Sequence, residues 1–182
     1  MSLVVGLADK KGNVFMGSDS CAGLDYKITI RSDEKLFRRG NMLIGFTTSF
    51  RMGQLLRYKL TIPPHPKGMD TMEYLVALFV ENVRTCLRDG GYLLEQEKRE
   101  SSGVFLLCYR GNIYRIDSDF QVAHREDGFE AIGCGEDYAL AVLHTVKQSA
   151  HPKLAIRKAL ECAAHFSSGV RPPFHILSLA SG

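Results

Sequence analysis

Residues 3–18 read Leu3-Val4-Val5-Gly6-Leu7-Ala8-Asp9-Lys10-Lys11-Gly12-Asn13-Val14-Phe15-Met16-Gly17-Ser18. Leu3 to Ala8 is apolar, Lys10-Lys11-Gly12-Asn13 is a polar turn with a glycine, and Val14 to Ser18 resumes the apolar character. Two such runs on either side of a glycine-containing turn predict a β-hairpin. Outward from it, Lys27 to Ile30 alternates polar and apolar side chains, the pattern of a half-buried strand. Lys35 to Phe37 and Met42 to Thr47 predict a second hairpin around Arg39-Gly40-Asn41.

Helical periodicity follows. Phe50 to Leu60 predicts a first helix, stopped by Pro63-Pro64-His65-Pro66. Met72, Leu75, Val76, Phe79, Val80 and Val83 share one face of a second helix. Asp70 or Thr71 caps its start and Gly90-Gly91 ends it. Glu95 to Ser102 is polar and charged and reads as an exposed loop. Val104 to Tyr109 and Ile113 to Ile116 predict strands around Arg110-Gly111-Asn112, with further strands at Phe120 to Ala123 and Phe129 to Ile132. Ala139, Val142, Leu143 and Val146 share one helix face, and Ala155, Ala159, Cys162, Ala163 and Phe166 another. Phe174 to Leu179 closes the chain as a strand.

The order is β-run, two helices, β-run, two helices, β. Hairpins favour antiparallel sheets. Helices with one apolar stripe each must cover a sheet face. The expectation is an α+β fold, a four-layer αββα sandwich formed by one domain over residues 1–182.

Composition narrows the function. The chain has 182 residues, a formal net charge of +3, 45% hydrophobic and 24% charged residues, as ordinary globular domains do. Its positive residues are scattered, with no basic stripe interleaved with aromatics, so nucleic-acid binding is not expected. No apolar run reaches the ~18 residues that span a membrane, and the start lacks the pattern of a secretory signal. The five cysteines show no C-x-x-C spacing and read as reduced thiols of a cytoplasmic protein. No His/Cys cluster suggests zinc.

Several short segments then align in order with one family. Ser2-Leu3-Val4-Val5-Gly6 resembles the start of a mature proteasome β subunit or of the HslV peptidase. Gly17-Ser18-Asp19-Ser20 and Asp33-Glu34-Lys35-Leu36-Phe37-Arg38 resemble the segments that carry the family's catalytic aspartate and lysine. Ile44-Gly45-Phe46-Thr47-Thr48-Ser49 sits at its Gly-rich turn before a helix, and Gly133-Cys134-Gly135-Glu136-Asp137-Tyr138-Ala139-Leu140 at its Gly-Ser-Gly segment. Ala163-Ala164-His165 matches the end of its fourth helix. On these residues the sequence resembles the N-terminal-nucleophile (Ntn) hydrolases of the proteasome β type along nearly its whole length.

The resemblance implies a site. Ser2, once Met1 is removed, would be the nucleophile. It would also supply a free α-amine, whose pKa near ~8 lets it accept a proton. Lys35 would favour the ionised hydroxyl or relay a proton, and Asp19 would pair with Lys35. The backbone of Thr47 to Ser49, at Thr48, would supply an oxyanion N–H. Cys134 stands where the family has a supporting serine, and Ser167 and Val170 stand at its supporting aspartate and second serine. Cys134 also has a reading of its own, as a thiol nucleophile at a helix N-terminus with His165 or His175 as base. Ala164, Ser167 and Val170 match the loop whose carbonyls bind a structural cation in this family. No other cofactor is required.

The implied function is a cytoplasmic threonine/serine-type peptidase in stacked rings, acting on unfolded polypeptide. An AAA+ ATPase would be a separate chain, since no G-x-x-x-x-G-K-[ST] occurs here. A ring-forming homologue without the chemistry and a small-molecule amidase on the same fold are the alternatives.

Overall fold

A computed structural model describes residues 2–24, 27–96, 99–146 and 151–181. Strands β1 (Leu3–Ala8) and β2 (Val14–Ser18) form the expected hairpin, with Leu7 opposite Phe15. Asp9 shapes its turn by accepting the Lys11 amide at 2.8 Å and the Asn13 amide at 2.9 Å. β3 (Cys21–Leu24) and β4 (Lys27–Ile30) form a second small hairpin. β5 (Leu36–Arg39) and β6 (Met42–Phe46) pair as expected and lead into helix α1 (Phe50–Tyr58). Ser49 caps α1 by accepting from the Arg51 amide at 3.1 Å.

Helix α2 runs over 71–89, with a π-helical turn at Leu75–Phe79 between α-helical Thr71–Tyr74 and Val80–Asp89. This corrects the expected stripe. The wider turn puts Tyr74 and Phe79, five residues apart, on the buried face, while Met72 and Val76 are exposed. Leu75, Phe79, Val83 and Leu87 continue that face.

The segment read as a loop at Glu95 to Ser102 instead contains a hairpin of β7 (Leu94–Gln96) and β8 (Arg99–Ser101); residues 97 and 98 lie outside the described residues. Its charges are partly used up in docking, because Glu100 accepts from Arg84 at 2.6 Å and from Arg88, both on α2. β9 (Phe105–Tyr109), β10 (Asn112–Ile116), β11 (Val122–His124) and β12 (Phe129–Gly133) follow. Helices α3 (Glu136–Val146) and α4 (Pro152–Phe166) precede the last strand, β13 (His175–Leu179).

Two antiparallel sheets stack. One has the order β12-β1-β2-β13 and the other β11-β10-β9-β6-β5. Along β1, Leu3, Val5 and Leu7 point out to Ala139, Leu143, Ile156 and Leu160 of α3 and α4. Val4 points the other way, joining Met16, Leu36, Leu43, Leu106 and Ile132 between the sheets. The outer face of the second sheet packs Ile44, Phe46, Phe105 and Leu107 on Met52, Leu55, Phe79 and Val83 of α1 and α2. This is the expected αββα sandwich. Strands covered on both faces explain why the opening run is apolar at every position. Phe166, expected on the buried face of α4, is exposed and stacks on Tyr138 of α3 at 5.4 Å. Among the described residues, no helix is long and apolar enough to cross a membrane.

Candidate active site

Ser2 immediately precedes β1, and β12 holds its backbone. Its carbonyl accepts the Cys134 amide at 2.9 Å and the Cys134 thiol at 3.5 Å. Gly133 lies opposite Leu3 at a φ of 108°, and a Cβ there would stand 2.1 Å from Ser2 O. Only glycine fits so close an approach in that conformation.

Asp19, directly after β2, is fully buried and hydrogen-bonded from several sides. Its Oδ1 accepts the Leu3 amide at 2.9 Å and Lys35 Nζ at 2.6 Å. Its Oδ2 accepts the Cys21 amide at 2.8 Å and the Arg171 amide at 3.3 Å. Lys35 is 1% exposed and also donates to the Cys21 carbonyl at 2.6 Å. Burial pushes the Lys35 ammonium below the usual lysine range, and the Asp19 carboxylate beside it opposes that shift without cancelling it. Arg57 of α1 fixes the strand on both sides of Lys35 by donating to the Glu34 carbonyl and, at 2.9 Å, to the Leu36 carbonyl.

Thr47, Thr48 and Ser49 form a three-residue turn closed by the Ser49 amide on Thr47 O at 2.7 Å. Thr48 sits at a φ of 67°, a strained conformation for a β-branched residue. The Thr47 amide is spent on Val104 O at 3.2 Å. Among the described residues, the Thr48 amide has no backbone acceptor, unlike those of Thr47 and Ser49. A cavity of about 80 Å3 is lined by Ser2, Ala22, Gly23, Phe46, the 47–49 turn and Phe50. The fold thus brings Ser2 and Thr48 to one cavity, and it joins Ser2, Asp19 and Lys35 through the Leu3 amide.

Cys134, given a supporting role by the resemblance, directly follows β12. Ser167 Oγ donates to its sulfur at 3.5 Å. Of the bases considered for a Cys134 nucleophile, His175 contacts Ser20 Oγ at 3.1 Å and Glu34 at 3.1 Å, and the His165 ring packs edge-on against Phe166. The carbonyls of Ala164, Ser167 and Val170 do converge, but on a side chain. Arg171 Nη1 donates to them at 3.1, 2.9 and 2.7 Å. Sequence reading missed Arg171, Gly133 and the Ser20–His175–Glu34 chain. In the sequence Gly133 stands out only within the Gly-Cys-Gly segment, and Ser20, Glu34 and His175 appear separately, with nothing to join them.

Sequence comparison finds no matching family model and no matching curated protein. Structure comparison finds strong likeness. Thiobacillus denitrificans BPH, solved in complex with epoxomicin, superposes with a TM-score of 0.81 at 18% identity, over 98% of this chain and 99% of that one. HslV from Trypanosoma brucei gives 0.70 at 19% identity, over 97% and 99%. Anbu (ancestral beta-subunit) from Yersinia bercovieri gives 0.68 at 15% identity, over 98% and 81%. The chain therefore has the fold of the proteasome-type N-terminal-nucleophile hydrolases.

Proposed function

We propose that this chain is an N-terminal-nucleophile peptidase with Ser2 as nucleophile, once everything ahead of Ser2 has been removed. The observation that carries the reading is the sharing of Asp19 Oδ1. One oxygen holds the buried Lys35 ammonium at 2.6 Å and the amide next to Ser2 at 2.9 Å.

In this reading Ser2 Oγ attacks the carbonyl carbon of a peptide bond, and its proton passes to Lys35 in the fraction of molecules whose Lys35 amine is uncharged. The carbonyl electrons move onto oxygen, where the Thr48 N–H stabilises the charge. The C–N bond breaks, the leaving amine takes the proton, and an ester remains on Ser2. Water then hydrolyses that ester. The depressed pKa of Lys35 serves this role, since it makes the amine available as a base nearer neutrality. The cavity beside Ser2, about 80 Å3, has roughly the space of two or three waters. Ala22, Gly23, Phe46 and Phe50 line it without charge, so it suits a small apolar side chain on the acyl side of the bond.

The resemblance adds assembly into stacked rings, an AAA+ partner for unfolded substrates and a cytoplasmic setting. Exposed apolar side chains support self-association: Ile28 and Ile30 on β4, and the stacked Tyr138 and Phe166. Sedimentation of the purified chain tests it, with a monomer as the contrary result.

The test of the chemistry is intact-protein mass spectrometry before and after incubation with epoxomicin, a peptide epoxyketone that needs the hydroxyl and the free amine of one residue. The reading expects Ser2 as the first residue and one adduct per chain, abolished in Lys35→Ala. A retained Met1 with no adduct, in natively expressed protein, would leave a homologue without this chemistry.

A further inference from the structure

The loop after α4 has the outline of a cation site and a positive charge already built into it. Ala164, Ser167 and Val170 direct three carbonyl oxygens at one nitrogen, Arg171 Nη1, at 3.1, 2.9 and 2.7 Å. That nitrogen has two hydrogens for three acceptors, so the carbonyls surround it as they would surround an ion. Their lone pairs come from the C-terminal end of α4 and the turn beyond it, where the helix leaves unsatisfied carbonyls and partial negative charge. A magnesium or calcium ion would need oxygens at about 2.0–2.6 Å from the same centre. The guanidinium and an ion cannot share that centre, because both the space and the sign of charge forbid it.

Arg171 also reaches the site already described. Its own amide donates to Asp19 Oδ2 at 3.3 Å, and its carbonyl accepts the Ser20 amide at 3.0 Å. Its backbone therefore brackets Asp19 on one side, while its side chain ties the same residue to the end of α4. Val170, just before it, is fully buried beneath Gly135 and Ala163, so the loop has a fixed floor.

We propose that Arg171 is a tethered cation: its guanidinium occupies the place of a metal ion in this loop, the loop binds no metal, and the residue positions Asp19 against Lys35. The last clause rests on the peptidase reading, and the first two do not.

The test compares wild type, Arg171→Ala and Arg171→Lys by thermal unfolding at matched ionic strength. Each is scanned in chelator and then with millimolar Mg2+, Ca2+, Na+, K+ or guanidinium. Wild type should unfold at one temperature in every condition. Arg171→Ala should unfold about 5 °C lower and recover, saturably, with guanidinium or a metal ion. Arg171→Lys, with a charge but no planar fork, should fall between them. A saturable rise of the wild-type midpoint with any metal ion would overturn the proposal, as would an Arg171→Ala midpoint equal to wild type in all conditions. If Arg171→Ala fails to fold, the wild-type ion series and the Arg171→Lys rescue still decide.

The positioning clause is read from the pH profile of epoxomicin labelling. Arg171→Lys should displace the rising limb relative to wild type, which loss of stability alone would not do. An unchanged limb refutes positioning. A wild type that does not label refutes the peptidase reading instead and leaves the ion series intact.

Discussion

Lys35 Nζ stands 2.6 Å from Asp19 Oδ1, with the two side chains 1% and 0% exposed. Such a pair contributes less to stability than its Coulomb term suggests, because both ions leave water. Breaking it is another matter. Asp19→Asn keeps the shape but strands a buried ammonium, and should cost about 3–5 kcal/mol. Chemical denaturation checks this, and a loss within experimental error would mean that the pair is solvated.

The same burial sets a pH dependence. Lys35 binds its proton less tightly in the fold than in the unfolded chain, whose ordinary value is 10.5. Stability from this group therefore rises with pH between the lowered folded value and 10.5, and is lost as pH falls through the folded value. Labelling by epoxomicin should rise with pH over a limb centred below 10.5. Lys35→Arg, which cannot give up its proton in this range, should abolish labelling. A Lys35→Arg variant that labels at the wild-type rate would remove Lys35 from the chemistry.

Gly133 should tolerate no side chain. A Cβ there would stand 2.1 Å from Ser2 O, at a φ of 108°. Gly133→Ala should destabilise by about 2 kcal/mol or more and displace the Ser2 backbone enough to lose labelling. Thermal unfolding and intact mass together measure both effects.

Thr48 holds its φ of 67° with help from the Val104 amide, which donates to Thr48 Oγ1 at 3.3 Å. Thr48→Gly would relieve about 1 kcal/mol of backbone strain and lose a comparable amount to glycine's unfolded-state entropy and the missing hydrogen bond. Stability should change by under about 1 kcal/mol, while labelling by a bulky epoxyketone rises several-fold as the Cβ and hydroxyl leave the cavity wall. A fall in labelling would mean that the threonine side chain, beyond the N–H, is required.

Among the described residues, Ser18 Oγ is a buried hydroxyl with no hydrogen-bond partner. Ser18→Ala should raise stability by about 1 kcal/mol, since an unsatisfied buried hydroxyl costs more than it returns. Denaturant unfolding of the variant reads the sign directly.

The sequence by itself determined much of the architecture. Unbroken apolar runs at Leu3 to Ala8 and Met42 to Phe46 report strands covered on both faces, and helical stripes such as Ala155, Ala159 and Ala163 report single buried faces. Burial of this kind repeats along the chain with the period of the element, so it can be read locally. The sequence also singled out Ser2, Asp19 and Lys35, which the fold joins through Asp19 Oδ1 and the Leu3 amide. The polar Glu95 to Ser102 segment misled because Arg84 and Arg88 on α2 pair with its Glu100, and the α2 stripe slipped because a π-helical turn resets the period at Tyr74. Tertiary structure alone decided that, among the described residues, the Thr48 amide has no backbone acceptor, that Gly133 must clear Ser2 O, and that Arg171 fills the carbonyl cage. Arg171 and Asp19 are 152 residues apart. Convergence of charge and lone pairs over that separation depends on the stacking of layers, and no pattern along the chain encodes it.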